Sequence, residues 1–103
     1  ILVIDNFDKG LKAVEEDRSL RLDLSNLIAG ITKNPTIGQP LGKNVFKVRM
    51  AISSENKGKS GGARVITYFL NDENEVHLLS IYDKSEQVTV SDQRIIDLVS
   101  EVY

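Results

Sequence analysis

Val45-Phe46-Lys47-Val48-Arg49-Met50-Ala51-Ile52 is the stretch at which this chain changes period. Phe46, Val48, Met50 and Ile52 alternate with Val45, Lys47, Arg49 and Ala51. That spacing of two predicts a strand with one apolar face and with Lys47 and Arg49 together on the other. It leads into Lys57-Gly58-Lys59-Ser60-Gly61-Gly62-Ala63-Arg64, which gathers two lysines, a serine, three glycines and an arginine. A loop this rich in glycine brings backbone N–H groups close to a ligand, and its cations favour an anion, phosphate above all. Beyond it, Arg64, Ile66 and Tyr68 share one face of a second strand, and Val65, Thr67 and Phe69 the other.

A nucleotide-binding P-loop does not fit. Gly58-Lys59-Ser60 matches the end of that motif, but its first glycine would fall at Ser53, and Gly61-Gly62 followed by β-branched residues continues as a strand rather than a helix.

Upstream, Ile1 to Ile4 reads as a short strand, and Asp5-Asn6 can cap a helix carrying Phe7, Leu11 and Val14. Ser19 can cap a second helix with Leu20, Leu24, Leu27, Ile28 and Ile31 on its apolar stripe and Leu22 off it. Asn34-Pro35 stops that helix, and Gly38, Pro40 and Gly42 predict a loop. Downstream, Asn71 to Asn74 is a turn, Val76 to Tyr82 a third meander strand, and Ser91 the cap of a last helix. Ile95, Ile96, Leu98, Val99 and Val102 should form the inner side of that helix. The order β-α-α-β-β-β-α predicts one α+β domain over residues 1–103, with a helical hairpin packed on a twisted, mostly antiparallel sheet.

The composition agrees with one folded domain: 103 residues, 41% hydrophobic, 27% charged and only two prolines. With no cysteine and no long apolar run, a soluble intracellular protein with neither disulfides nor a membrane span is expected. The net charge of −2 is unevenly spread. Between residues 43 and 70, Lys43, Lys47, Arg49, Lys57, Lys59 and Arg64 face Glu55 alone, whereas residues 71–103 hold two bases and eight acids. Such a distribution predicts a focused anion site on an otherwise acidic molecule.

His77, the one histidine, lies inside a strand, so neither a metal site nor a Ser–His–Asp triad has a local motif behind it. No cofactor is expected. What remains is lysine, arginine and tyrosine chemistry. RNA is cut without metal when its 2′-OH attacks the adjacent phosphorus, provided cations stabilise the phosphorane and an acid protonates the leaving 5′ oxygen. Lys57, Lys59 and Arg64 could supply those cations, and Tyr82 with Lys84 ends a strand that could approach Arg64.

Three pieces together resemble the RelE/ParE superfamily, and within it the RelE/HigB-like toxins of bacterial type II toxin–antitoxin modules. They are Phe46 to Ile52, Gly58-Lys59-Ser60-Gly61-Gly62-Ala63-Arg64-Val65-Ile66, and Leu78-Leu79-Ser80-Ile81-Tyr82-Asp83-Lys84-Ser85-Glu86. The resemblance covers nearly the whole chain and implies a microbial RNase-type fold. It implies a cytoplasmic, metal-independent endoribonuclease that cuts mRNA on the ribosome, leaves a 2′,3′-cyclic phosphate, and is held inactive by a cognate antitoxin. By position, Arg49, Lys59 and Arg64 would bind phosphate and stabilise the transition state. Tyr82 would stack on a base or act as general base, and Lys84 would be the general acid. Lys47, Lys57 and Ser60 complete the expected RNA-binding surface. The same superfamily also implies two alternatives, a ParE-like inhibitor of DNA gyrase and an inactive antitoxin-binding module.

Overall fold

The computed structural model describes residues 1–15, 20–52, 62–84 and 90–102. Its elements are β1 (Leu2–Val3), α1 (Asp5–Glu15), α2 (Arg21–Lys33), β2 (Gln39–Gly42), β3 (Val45–Met50), β4 (Ala63–Leu70), β5 (Glu75–Asp83) and α3 (Asp92–Ser100). One sheet of order β1-β5-β4-β3-β2 carries them, antiparallel throughout except for β1, which runs parallel to β5. This is the expected α+β architecture with one more strand.

That strand, β2, lies where Gly38, Pro40 and Gly42 predict a loop. Proline is tolerated because β2 is an edge, where a missing N–H costs no ladder bond. The β2–β3 connection is two residues, Lys43 and Asn44, both at positive φ (54° and 65°), the geometry of a tight hairpin turn. The Asn44 carbonyl then accepts the Phe69 N–H at 2.9 Å, tying the turn to β4.

The two faces of the sheet bury different helices. On one, α1 and α2 bring Phe7, Val14, Leu27 and Ile31 onto Val48, Met50, Ile52, Val65, Leu78 and Ile81. On the other, α3 lays Ile95 and Leu98 over Val45, Ile66, Tyr68, Leu79 and Tyr82. The alternation read in β3 and β4 is therefore correct. Ser91 caps α3 as expected, its Oγ accepting the Arg94 N–H at 3.1 Å. Ile96 departs from expectation: it is 48% exposed, one position past Ile95 and so turned off the buried stripe. Leu22, off the α2 stripe, is 66% exposed. Ser19, expected to cap α2, lies outside the described residues.

β5 carries an irregularity with a large effect. Ile66 pairs with Ser80 but Thr67 pairs with Leu78, so Leu79 has no partner on β4. One extra residue reverses the side-chain parity. Before the bulge, Val76 and Leu78 face the helical hairpin; after it, Ile81 does, and Tyr82 joins the α3 face.

Candidate functional site

Because of the bulge, Arg49 of β3, Arg64 of β4 and Tyr82 of β5 stand directly opposite one another across three strands. Opposed residues share a face with their Cβ atoms about 5 Å apart. Two arginines face to face with no acid in the row would ordinarily weaken a ladder. The adjoining row contains Lys47, Ile66 and Ser80, so Lys47 and Arg49 flank one another on the same face.

The members of the row differ in access. Arg49 is exposed, whereas Arg64 is only 4% exposed, with one guanidinium N–H donated to the Ala63 carbonyl at 3.1 Å. Arg64 is thus a fixed charge at the base of the site, where a lowered dielectric lengthens its reach. Tyr82 is 7% exposed, and its hydroxyl finds no hydrogen-bond partner among the described residues. Burial pushes its phenol above the ordinary 10.0, and the neighbouring Arg64 charge pulls it part of the way back. At neutral pH Tyr82 therefore carries its proton: it can donate a hydrogen bond, and it is a poor base.

Lys84 is exposed, and its backbone N–H donates to the Gly62 carbonyl at 3.2 Å. That bond carries β5 past Asp83 to the end of the sheet where the glycine-lysine connection between β3 and β4 begins and ends. Gly62 admits no side chain: a Cβ there would lie 2.1 Å from the Met50 carbonyl oxygen. Lys57, Lys59 and Ser60 lie outside the described residues. The structure thus brings together Arg49, Arg64 and Tyr82, with Lys47 and Lys84 at their margins.

His77 stands apart. It is buried opposite Tyr68 (ring centroids 6.4 Å apart) with Nε2 3.3 Å from Glu75 Oε1, at the far end of β5 from Tyr82. Among the described residues no helix is long and apolar enough to cross a membrane.

Sequence reasoning left one region unread. Where β1 ends, α1 closes on the free edge of β5, with Gly10 so near that a Cβ would lie 2.5 Å from the Ile81 carbonyl oxygen. Asn6 donates from Nδ2 to the Leu79 carbonyl at 2.9 Å and accepts Arg94 Nη2 at 2.6 Å, joining α1, β5 and α3. The polar residues Asn6, Lys9 and Arg94 all lie outside any basic run, so no local signal marks them.

No family sequence model matches the chain. Among solved structures, a mutant of the E. coli toxin RelE in the free state, with two arginines replaced by alanine, superposes with a TM-score of 0.64 over 99% of this chain and 95% of that one, at 12% identity. The isolated E. coli RelE toxin gives 0.59, again at 12% identity, over 99% of this chain and 96% of the other. Identity this low speaks to architecture alone. With the bulged meander, the helical hairpin on one face and α3 on the other, the chain has the RelE-like fold.

Proposed function

We propose that this chain is the toxin of a toxin–antitoxin module, a metal-independent endoribonuclease acting on mRNA in the ribosome. The observation that carries this reading is the row Arg49–Arg64–Tyr82. It sets two arginines and a buried tyrosine, whose hydroxyl has no hydrogen-bond partner among the described residues, opposite one another in one cross-strand row. A phosphodiester laid along it would meet positive charge at Arg49 and Arg64 and a hydrogen-bond donor at Tyr82.

The chemistry follows from those parts. The 2′ oxygen of the substrate loses its proton and forms a bond to phosphorus, and the bond from phosphorus to the 5′ oxygen breaks. Arg49, Arg64 and Lys59 stabilise the phosphorane between them. Lys84 gives a proton to the departing 5′ oxygen, leaving a 2′,3′-cyclic phosphate. Tyr82 donates a hydrogen bond to the phosphorane or stacks beneath a base, and the 2′-OH gives its proton to a solvent water. A general-base role for Tyr82 would make the rate climb about tenfold per pH unit through the neutral range to above pH 10. A donor role gives no such climb.

In the deciding experiment, a defined mRNA is translated in vitro with the purified protein, with and without EDTA, and its ends are mapped by primer extension. Cuts within ribosome-bound codons, absent on naked RNA and indifferent to EDTA, are expected. Intact mRNA with normal protein synthesis would overturn the reading, and a gyrase supercoiling assay would then follow.

A further inference from the structure

Among the described residues, the Arg49–Arg64–Tyr82 row does not meet another strand past β5. β1 pairs only at His77 and Leu78, so among the described residues no strand continues the sheet at Tyr82, and beside α1 the edge gives onto a cleft of about 280 Å³. Its polar wall is Asn6 and Lys9 of α1, Ser80 and Tyr82 of β5, and Arg94 of α3. No aspartate or glutamate among the described residues lines it.

We propose that this cleft is a second phosphate subsite, taking a phosphodiester of the same RNA strand that flanks the scissile one, with Lys9 and Arg94 as its cations. The proposal rests on the nuclease reading above. Three observations carry it. The two cations converge from different helices on a cavity that also holds hydroxyl and amide donors. Arg94 is held in place by a neutral partner, Asn6 Oδ1 at 2.6 Å, which fixes the guanidinium without cancelling its charge. Tyr82 belongs both to the cleft wall and to the cross-strand row, so one continuous path joins the two phosphate positions. With strands about 4.8 Å apart, the cleft lies roughly 10 Å from the β4 position of the row. A short oligonucleotide reaches both; a mononucleotide does not.

The test is an amide NMR titration of the whole chain at low salt. The probe is an RNA trinucleotide whose scissile 2′-OH is replaced by hydrogen, so that it binds without being cut. Shifts at Asn6, Gly10 and Ser80 alongside those at Arg49 and Arg64 are expected. Lys9→Gln, an exposed and therefore structurally mild change, should weaken trinucleotide binding several-fold. It should also lower the slope of log K against log salt by about 0.7, one single-strand phosphate contact. Adenosine monophosphate should bind the wild type and Lys9→Gln alike. Shifts confined to the arginine row, or an unchanged affinity and slope in Lys9→Gln, overturn the subsite and leave the nuclease reading standing. No shift in either set also overturns it, and cleavage on ribosomes then judges the nuclease reading separately. Movement of the cleft amides by an acidic peptide but not by RNA would assign the cleft to a protein partner instead.

Discussion

The two faces of the sheet are built to different rules. Beneath α1 and α2 the buried set is apolar and continuous, from Phe7 and Ile31 through Val48, Met50 and Val65 to Leu78 and Ile81. Beneath α3 the apolar patch covers only part of the face, and the next row holds Arg49, Arg64 and Tyr82. One face is organised for burial. The other also holds two arginines and a buried tyrosine hydroxyl that has no hydrogen-bond partner among the described residues.

Deleting Leu79 tests the contrast most severely. It leaves a one-to-one ladder from Tyr68–His77 to Arg64–Tyr82, so both faces are kept while the α3 side loses a fully buried leucine, and a loss of about 4 kcal/mol in denaturant unfolding is expected. Unchanged stability would show that Leu79 does not belong to that buried layer. Next, Arg64→Ala should lower cleavage on the ribosome by on the order of 10²–10³-fold, as for removal of one preorganised charge donor. Full growth inhibition by that variant would take Arg64 out of the site. Truncations should then rank the faces. Phe7→Ala is expected to cost about 4 kcal/mol and Ile95→Ala about 2, measured by denaturant unfolding, because the first opens a cavity in the closed layer. Equal losses would erase the distinction.

The smallest effect is the most diagnostic. Tyr82→Phe removes a buried hydroxyl that bonds to nothing among the described residues, so stability should rise by about 1 kcal/mol while cleavage falls. Its alkaline behaviour has a definite sign. The folded phenol holds its proton more tightly than an unfolded one, so its contribution to stability is intact below about pH 10 and is lost as pH rises through the folded value. The phenylalanine variant should show a smaller alkaline loss, and equal losses would mean that Tyr82 is not buried in solution.

Periodicity disclosed the faces of β3 and β4 because Lys47 and Arg49, then Arg64, Ile66 and Tyr68, alternate with apolar neighbours. It could not disclose the bulge. In Val76-His77-Leu78-Leu79-Ser80-Ile81 the polar residues His77 and Ser80 are three apart and Leu78 and Leu79 adjoin, so a period of two fixes no single register. That is why the partnership of Arg64 with Tyr82 needed coordinates. β2 was hidden for another reason: Pro40 and Gly42 read as breakers unless the strand is known to be an edge. Of the proposed anion sites, the arginines of the row were legible from charge clustering. Lys9 and Arg94 were not, since residues far apart in sequence meet only through the packing of α1 and α3 against β5.

The two hydrogen bonds of Asn6 also bear on the order of assembly. They reach across 73 residues to Leu79 and 88 residues to Arg94, among the longest closures available to a chain of 103. Contacts of such separation are rewarded only after the intervening chain has collapsed. The β3–β4–β5 meander can therefore form while both chain ends are still loose, and the latch at Asn6 closes last. A lesion at this asparagine should accordingly leave the refolding rate almost unchanged and show itself in faster unfolding.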